Sequence, residues 1–271
     1  MINKLGQNKL STWKNLNIKT HNVNKMISTI SDRSHFPRQL IIDVHSYCNA
    51  SCVICPYDTL KKKLPMGVMD EDLFRKIIDD FSGIAKKHNF CGKVLFCNMG
   101  EFFLYPETTI ERMRYVLAAG LEFNIQTNGS LMVPKQIDRL LAAGFKGSFT
   151  ISCHGISLGV HDKIMGVDTE RSLANIDYLL AHYPHERIGI QSIPYRWPFG
   201  ETRRTRRHWR QRGVRVRMPL PNDRGGLVAP LSQRKRHATL LGCSANRPLG
   251  EMIISFNGDV PLCCNDLPQK R

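Results

Sequence analysis

The strongest constraint on this chain is an alternation of short β-branched runs with segments of helical period, which begins at Gln39. The alternation occurs six times, and it predicts strands at residues 40–44, 94–97, 122–126, 148–152, 188–192 and 214–218. Strands that are separated by helical crossovers pair in parallel, because each crossover returns the chain to the same end of the sheet. The pattern therefore predicts an α/β fold with a parallel sheet.

Local signals at the ends of the expected helices support this division. Asp70 precedes a segment with apolar residues at helical spacing, and its carboxylate suits the N-cap of that helix. Gly120 and Gly144 stand where two later helices should end, and glycine is favoured there because it accepts a positive φ. The helices are thus expected to end just before these two glycines.

Length and composition limit the class of protein. The chain has 271 residues, of which 42% are hydrophobic and 23% charged, so it can bury a sizeable core. A disulfide-stapled mini-protein and a wholly disordered chain are excluded. No apolar run approaches the roughly 18 residues of a membrane span, and the N-terminus lacks the apolar core of a signal peptide. We therefore expect a cytoplasmic protein with no membrane partner.

Changes in composition divide the chain into four segments. Residues 1–38 form a polar, basic lead-in, and residues 39–220 contain the six βα units. Residues 221–241 have the Pro, Gly and basic character of a linker. Residues 242–271 form a small unit that carries cysteines.

Three cysteines follow the first expected strand in C-x3-C-x2-C spacing: Cys48, Cys52 and Cys55. A chain with nine cysteines and no secretory signal is more suited to metal or redox chemistry than to disulfides. Three thiolates can hold three irons of a four-iron cluster and leave the fourth iron open. The alternatives are thiols that only pack in the core, or a structural zinc site, which would need a fourth ligand such as His45.

This triplet resembles the signature of the radical S-adenosylmethionine (SAM) superfamily, and further motifs at successive strand ends extend the resemblance over about residues 39–220. Gly100-Glu101 follows the second strand, where the family has a GGE-type motif, although Met99 replaces one glycine. Thr127-Asn128-Gly129 follows the third strand, where the family often has a polar turn. Ile54 stands where the family often has an aromatic residue behind the adenine.

The resemblance implies a partial (βα)6 TIM-like barrel and a set of cofactor contacts. Cys48, Cys52 and Cys55 would hold a [4Fe-4S] cluster, and Glu101 would accept hydrogen bonds from the methionine ammonium of SAM. The other implied SAM contacts are Gly100, Thr127, Asn128, Gly129, Ser152 and His154. The alternative for Glu101 is a carboxylate that caps the next turn.

The C-terminal cysteines suggest a second iron–sulfur site. Cys243, Gly258 and Cys263 fall in C-x14-G-x4-C spacing, which is similar to the opening of a SPASM or twitch extension. Residues 252–256 read as a strand, Asn257-Gly258 is a hairpin turn signal, and residues 260–262 would begin a second strand. We therefore expect a small C-terminal β-hairpin. Either Cys264 and a non-cysteine ligand complete an auxiliary cluster with Cys243 and Cys263, or the site is degenerate, or the chain is truncated.

The remaining cysteines and the charged residues complete the sequence evidence. Cys91, Cys97 and Cys153 lie in or beside strands, so they are expected to pack in the core. The net charge is +16, and eight arginines occur between Arg203 and Arg217 without an acidic residue. This stretch is interpreted as the solvated face of a helix. Its alternative is a phosphate or nucleic-acid surface with Trp209 available for stacking.

Together these features predict a radical SAM oxidoreductase or maturase with a SPASM-like tail. The resemblance implies reductive cleavage of SAM to a 5′-deoxyadenosyl radical, an electron from a partner such as flavodoxin or ferredoxin, and a peptide, protein or small-molecule substrate. Asp223 and Arg224, after the sixth strand, are candidates for substrate contact. The alternatives are an RNA-modifying enzyme of the same superfamily and a non-catalytic iron–sulfur or zinc protein.

Overall fold

A computed structural model describes residues 36–157, 159–195, 197–222, 224, 227–228 and 247–266. Contacts divide the chain into a unit Met1–Phe36 and a unit Pro37–Arg271, and the described residues other than Phe36 belong to the second unit. Asp223 and Cys243, two of the expected site residues, lie outside the described residues.

All six predicted strands form, and their bounds differ from the prediction by at most two residues. They are β1 (Gln39–Ile42), β2 (Lys93–Leu95), β3 (Glu122–Thr127), β4 (Phe149–Ser152), β5 (Ile188–Gln191) and β6 (Arg215–Arg217). Each pairs in parallel with its neighbour in sequence order. The parallel α/β sheet is confirmed, and the carboxyl ends of β1 to β6 share one edge.

A seventh strand corrects the predicted C-terminal hairpin. Strand β7 (Glu251–Ile254) pairs in parallel with β1, so the sheet order is β6-β5-β4-β3-β2-β1-β7. The Asn257-Gly258 turn does form, since the Ser255 N–H donates to the Asp259 carbonyl over 2.8 Å. No second strand follows this turn within residues 259–266. The predicted hairpin is wrong because the apolar run finds its partner in the distant first strand, not in its neighbour.

Helices fill the crossovers between the strands. They are α1 (Tyr57–Leu60), α2 (Glu71–Lys87), α3 (Pro106–Ala118), α4 (Pro134–Ala142), α5 (Val160–Met165), α6 (Thr169–His182), α7 (Glu201–Gln211) and α8 (Arg247–Gly250). Short 3-10 turns lie at Phe102–Leu104 and His185–Arg187. No helix in the described ranges is long and apolar enough to cross a membrane.

The expected helix ends are confirmed. The Asp70 carboxylate accepts hydrogen bonds from the backbone N–H groups of Asp72 and Leu73 at the start of α2. Gly120 and Gly144 have φ values of +82° and +86° and follow α3 and α4 closely. Their N–H groups donate to Leu117 and Leu141, which satisfies carbonyls that the helix ends leave unpaired.

The main core lies between the sheet and its helices. Phe74 and Ile78 of α2 are fully buried, as are Phe123 of β3 and Trp209 of α7. A smaller apolar cluster lies beside the loop after β1. Its buried members are Ala50, Ile54, Val160, Ile164, Met165 and Val167. The main core thus packs against the strands, and the second cluster packs against the loop that carries Cys48, Cys52 and Cys55.

Candidate active site

The three cysteines lie on one loop at the carboxyl edge of the sheet, between β1 and α1. The Cys48 N–H donates to the Tyr57 hydroxyl over 2.9 Å, and the Cys55 N–H donates to the Cys52 carbonyl over 3.0 Å. Burial raises the pKa of Cys48 to about 12. Burial and then the neighbouring thiols of Cys55 and Cys48 raise the pKa of Cys52. The thiols are therefore close enough to interact, and they are protonated until a metal displaces the proton.

Cys55 has a different position from the other two cysteines. The residue as a whole is exposed, whereas Cys48 and Cys52 are half-buried. Nevertheless, burial raises the pKa of its thiol, and the Arg224 guanidinium opposes that rise. Cys55 is thus the most accessible residue of the three.

Helix α5 holds the cysteine loop in place. The N–H groups of Ser51 and Val53 donate to the carbonyls of Met165 and Ile164 over 3.0 and 2.9 Å. Gly166, with φ of +66°, ends this helix so close to the loop that an added Cβ would lie 2.0 Å from the Ser51 hydroxyl oxygen. Ile54 is 7% exposed and packs in the apolar cluster beside α5. The loop conformation is thus fixed by backbone bonds and by packing.

The loop after β2 is fixed by a buried acid that the sequence reading did not single out. Asp43 accepts hydrogen bonds from the Asn98 side chain over 3.1 Å and from the Met99 N–H over 2.8 Å. Burial raises the pKa of Asp43 to about 6, although these hydrogen bonds oppose the rise. An acidic residue within the apolar run that predicts the first strand, residues 40–44, is the signal that could have identified it.

Gly100 lies against the backbone of His45, in the segment that follows β1. A Cβ at Gly100 would lie 2.2 Å from the His45 carbonyl oxygen and 2.9 Å from His45 Nδ1. The Glu101 N–H, one residue later, donates to the Tyr47 carbonyl over 2.9 Å. Only glycine allows the two segments to approach this closely, so Gly100 fixes the position of Glu101 beside the cysteine loop.

The Glu101 carboxylate joins the ends of β2 and β3. Its Oε1 accepts from the Thr127 hydroxyl over 2.6 Å and from the Phe103 N–H over 3.2 Å. Its Oε2 accepts from the Asn128 N–H over 2.8 Å. Burial raises the pKa of Glu101. The capping role that was the alternative at the sequence level is present, and Oε2 retains acceptor capacity for a further donor.

An amide network connects this carboxylate to the cysteine loop. The Asn128 side-chain NH2 donates to Asn49 Oδ1, and the Asn49 NH2 donates to the Ser130 hydroxyl, each over 2.9 Å. Gly129, with φ of +79°, completes the turn, and its N–H donates to the Thr127 hydroxyl over 3.0 Å. Asn49 and Ser130 were not singled out in the sequence. The Asn next to Cys48 and the Ser next to the Thr-Asn-Gly turn became significant only through their contacts.

The end of β4 carries two candidate residues. Ser152 is half-buried in the last position of the strand. The buried His154 accepts from the Ile193 N–H at Nδ1, and its own N–H donates to Nδ1 of His161, both over 3.0 Å. Burial, and then the charge of His161, lowers the pKa of His154 to about 3. Burial lowers the pKa of His161 to about 4. Both imidazoles are therefore neutral near pH 7.

The donor set around the cysteine loop fits an iron–sulfur cluster and SAM. Cluster irons take cysteine thiolates, and hydrogen bonds to the sulfurs tune the cluster. The Ala50 N–H donates to Cys48 Sγ over 3.4 Å, which is a bond of this kind. Glu101 Oε2, with its spare acceptor capacity, suits an ammonium group. Among the described residues no three His, Cys, Asp or Glu side chains converge as ligands of one metal ion.

The C-terminal cysteines are only partly described. Cys263 and Cys264 are half-buried. Arg224 Nη1 donates to the Cys264 carbonyl and to Asn265 Oδ1 over 3.4 and 3.5 Å. Burial, and next the charges of Asp43 and Cys264, raise the pKa of Cys97 to about 12. Cys264 therefore lies near the end of β2, and Arg224 forms hydrogen bonds within the same chain.

The other cysteines and the arginine stretch are distinguished by burial. Cys153 is buried and Cys97 is half-buried, but Cys91 is exposed and donates to the Glu122 carboxylate over 3.2 Å, so its predicted packing role is wrong. On α7 the side chain of Trp209 is fully buried, so it cannot stack on a nucleic-acid base. Arg203, Arg206, Arg207 and Arg210 are exposed. The interpretation as a solvated helix face fits this geometry.

Comparison with known proteins identifies the family of the sequence. The radical SAM superfamily model matches residues 42–193, which is more than half of the chain. An AdoMet-dependent heme synthase of Methanosarcina barkeri is 30% identical over 145 residues, which cover 53% of this chain and 39% of that protein. The 2-deoxy-scyllo-inosamine dehydrogenase of Niallia circulans is 29% identical over 140 residues, which cover 48% of this chain and 52% of that enzyme. The alignments thus span about half or less of these relatives.

Solved structures show the same fold. The Streptococcus suis protein SuiB, bound to its precursor peptide SuiA, superposes with a TM-score of 0.66 and 14% identity. The superposition covers 93% of this chain and 65% of SuiB. At this identity the likeness supports the fold, a TIM-like partial barrel, and not a shared substrate.

Proposed function

Because the chain belongs to the radical SAM superfamily, whose members use a [4Fe-4S] cluster and SAM, we propose that Cys48, Cys52 and Cys55 hold such a cluster and that the adjoining strand ends bind SAM. The family and the enzyme names of the relatives indicate an enzyme. The proposed reaction is reductive cleavage of SAM followed by hydrogen abstraction from a substrate.

The observation that carries the proposal is the connection between three motifs that are far apart in sequence. Glu101 binds Thr127 and the Asn128 backbone, and Asn128 binds Asn49, which is next to Cys48. A cofactor that must touch a cluster, an acidic acceptor and a polar turn at once would find all three along one sheet edge. Parallel α/β folds place their ligands at this edge.

We assign roles to the chain's own groups on this basis. Glu101 would accept a hydrogen bond from the methionine ammonium at Oε2. Thr127 and the Asn128 N–H fix the carboxylate, and the Gly129 N–H in turn holds the Thr127 hydroxyl. Gly100 keeps the Glu101 segment close to the cysteine loop. Ser152 and His154 are the proposed contacts to the methionine carboxylate or the ribose, where a neutral His154 would donate from Nε2.

The bound cofactors would supply a one-electron cleavage of the carbon–sulfur bond that yields a 5′-deoxyadenosyl radical. The protein would supply positioning and exclusion of water. The apolar cluster around Ile54 and Val160 seals one side of the cysteine loop. The electron would come from a reducing partner such as flavodoxin or ferredoxin, and the protein would act in the cytoplasm.

The substrate is proposed only as a class. The relatives are, by their names, a heme synthase and a 2-deoxy-scyllo-inosamine dehydrogenase, and SuiB binds a precursor peptide. We propose a small molecule or peptide that enters beside Asp223 and Arg224. Residues 242–271 are proposed as a SPASM-like segment, with Cys243, Cys263 and Cys264 as ligands of an auxiliary cluster.

The experiment that tests this proposal is metal and sulfide analysis after anaerobic reconstitution, with electron paramagnetic resonance before and after SAM is added. We expect about four irons and four sulfides at the SAM-binding site, as a cubane requires. The part of the reduced signal that changes on SAM addition should be present in the wild type and absent from Cys48→Ser. Stoichiometric zinc without sulfide would overturn the proposal and favour a non-catalytic binding protein.

A further inference from the structure

One edge of the cysteine loop is open to solvent. Cys55 is exposed, and Val53, two residues earlier, is 44% exposed. Electron transfer between proteins weakens steeply with distance, so an electron donor must approach where the loop is least covered. In the described part of the loop Asn49, Ser51, Val53 and Cys55 are exposed. Of these, Val53 and Cys55 are nearest along the chain to α1 and the lysines that follow it.

A turn of three lysines lies beside this edge. Lys61, Lys62 and Lys63 follow α1 and are all exposed. The turn is anchored by the buried Leu60, whose carbonyl accepts the N–H groups of Lys63 and Leu64 over 2.8 Å each. We refer to residues 61–63 as the lysine turn. Its position is fixed by backbone bonds, so its charges are held at a defined place on the surface.

A single side chain connects the lysine turn to the cysteine loop. The Lys61 ammonium lies 5.4 Å from the centroid of the Tyr57 ring. The hydroxyl of the same Tyr57 accepts the Cys48 N–H over 2.9 Å. Tyr57 thus contacts both Lys61 of the lysine turn and the backbone of Cys48, a proposed cluster ligand.

The chain segment that carries this edge has an excess of positive charge. Between Val44 and Met69, Asp58 is the sole acidic residue against three lysines. Asp58 pairs with Lys61 at 2.5 Å, so Lys62 and Lys63 set the sign of the outer surface. A basic rim beside an exposed apolar residue is complementary to an acidic protein. Electrostatic complementarity of this kind speeds encounter, and electron-transfer complexes use small, transient interfaces.

We propose that Val53, Cys55 and the lysine turn form the docking surface for an acidic one-electron carrier protein. The inference rests on the proposed function, since it requires a resident cluster that accepts an electron. In each encounter the reduced carrier would lose one electron and a cluster held by the three cysteines would gain it, with no proton or group transferred. Lys62 and Lys63 would act by attracting and orienting the carrier.

The arginine-rich helix α7 is the competing basic surface. Among the described contacts, Arg204 of this helix pairs with Glu201, and Arg212, directly after the helix, pairs with Asp177. Glu201 in turn holds the backbone of Ile156 and Ser157 in the loop after β4. The contacts of the arginine-rich helix thus reach α6 and the loop after β4, whereas Lys61 of the lysine turn contacts Tyr57, which binds the cysteine loop. The lysine turn is therefore the basic surface that is connected to the proposed cluster ligands.

The test measures the affinity of the full-length reconstituted protein for an oxidised bacterial flavodoxin at low salt, which needs no turnover. The charge-reversed variant Lys62→Glu/Lys63→Glu leaves Lys61 and its contact with Tyr57 in place. We expect it to weaken binding at least tenfold, and we expect wild-type affinity to fall with rising salt. The matched control Arg206→Glu/Arg207→Glu, on α7, should stay within twofold of the wild type. Equal iron content in all three proteins would show that each is folded.

Two outcomes would overturn the docking surface. One is unchanged flavodoxin affinity in the lysine variant. This holds even if the variant loses affinity for tRNA, because the lysine turn would then bind nucleic acid and not a carrier protein. The other is an equal loss in the arginine control. SAM cleavage distinguishes failure of the docking surface from failure of the proposed function, because dithionite reduces the cluster without a docked protein. The lysine variant should keep its dithionite-driven rate and lose its flavodoxin-driven rate, whereas no cleavage with either reductant would refute the proposed function itself.

Discussion

The Thr127 hydroxyl donates a hydrogen bond to Glu101 Oε1 over 2.6 Å, and both residues are buried. The bond joins the polar segments that follow two neighbouring strands. It holds the buried carboxylate in position and leaves Oε2 to face the Asn128 backbone. The proposed SAM site therefore depends on donors that are in place before any ligand arrives.

Replacement of Thr127 by Val should lower the free energy of unfolding by about 1.5–3 kcal/mol, because a buried carboxylate loses a charge-assisted hydrogen bond. The Gly129 N–H would lose its acceptor as well. Urea denaturation of the two proteins measures the difference. Thr127→Ser keeps the hydroxyl and should stay within about 1 kcal/mol of the wild type. Equal losses in both variants would show that the hydroxyl bond has no special weight.

Gly100→Ala should destabilise the protein by about 1–3 kcal/mol and weaken SAM binding, since its methyl group would overlap the His45 carbonyl. Gly83→Ala is the matched control. Gly83 lies inside α2 with open space around it, so alanine there should stabilise the protein by about 0.5–1 kcal/mol through helix propensity. Thermal unfolding and equilibrium dialysis with SAM measure both effects. A Gly100→Ala protein as stable as the wild type would contradict the close approach.

Asn49→Ala should weaken SAM binding about tenfold, or about 1.4 kcal/mol, because it breaks the connection between the cysteine loop and the turn after β3. Iron content should change little, since Asn49 is not one of the proposed ligands. Ser51→Ala is the control on the same loop, where the backbone makes the contact with Met165. The account is contradicted if Asn49→Ala and Ser51→Ala bind SAM equally well.

The histidine pair predicts acid sensitivity. The folded-state pKa values of His154 and His161 are lowered to about 3 and 4, from an ordinary 6.5. The unfolded chain therefore binds protons that the folded protein rejects, and stability is lost as pH falls from about 6.5 toward 4. Asp43, with its pKa raised to about 6, contributes in the opposite direction, so the effect is best isolated by difference.

His161→Gln removes one of these titrations. The slope of unfolding free energy against pH between about 5 and 6 should become shallower by about 1.4 kcal/mol per pH unit. Urea denaturation over a pH series measures it in the wild type and in the variant. Identical slopes would mean that His161 titrates normally in the folded protein.

Much of the fold follows from local sequence signals. The six strands and the glycines that end α3 and α4 depend on residues within a few positions of one another. The strand pairing of residues 251–254 does not follow from such local signals. Their apolar pattern predicts a strand, but the choice between a hairpin partner and the free edge of β1 depends on which edge is available in three dimensions. A turn signal at Asn257-Gly258 indicates a reversal of the chain and not a second strand.

The candidate site shows the same division. Cys48, Glu101 and Thr127 stand out because their spacing resembles a family pattern. Asp43 and Asn49 do not stand out, because their importance arises from hydrogen bonds to segments 55 and 79 residues away. The burial of Trp209 was also hidden in the sequence, since an arginine-rich helix shows its charge but not which face it turns to the sheet.

The most direct test of the central claim is formation of 5′-deoxyadenosine from SAM by the anaerobically reconstituted protein with dithionite. Cys52→Ala is the test variant, and Cys91→Ala, which changes an exposed cysteine away from the loop, is its control. We predict 5′-deoxyadenosine from the wild type and from Cys91→Ala and none above background from Cys52→Ala. A wild-type protein that carries a complete cluster and still forms no 5′-deoxyadenosine would contradict the account.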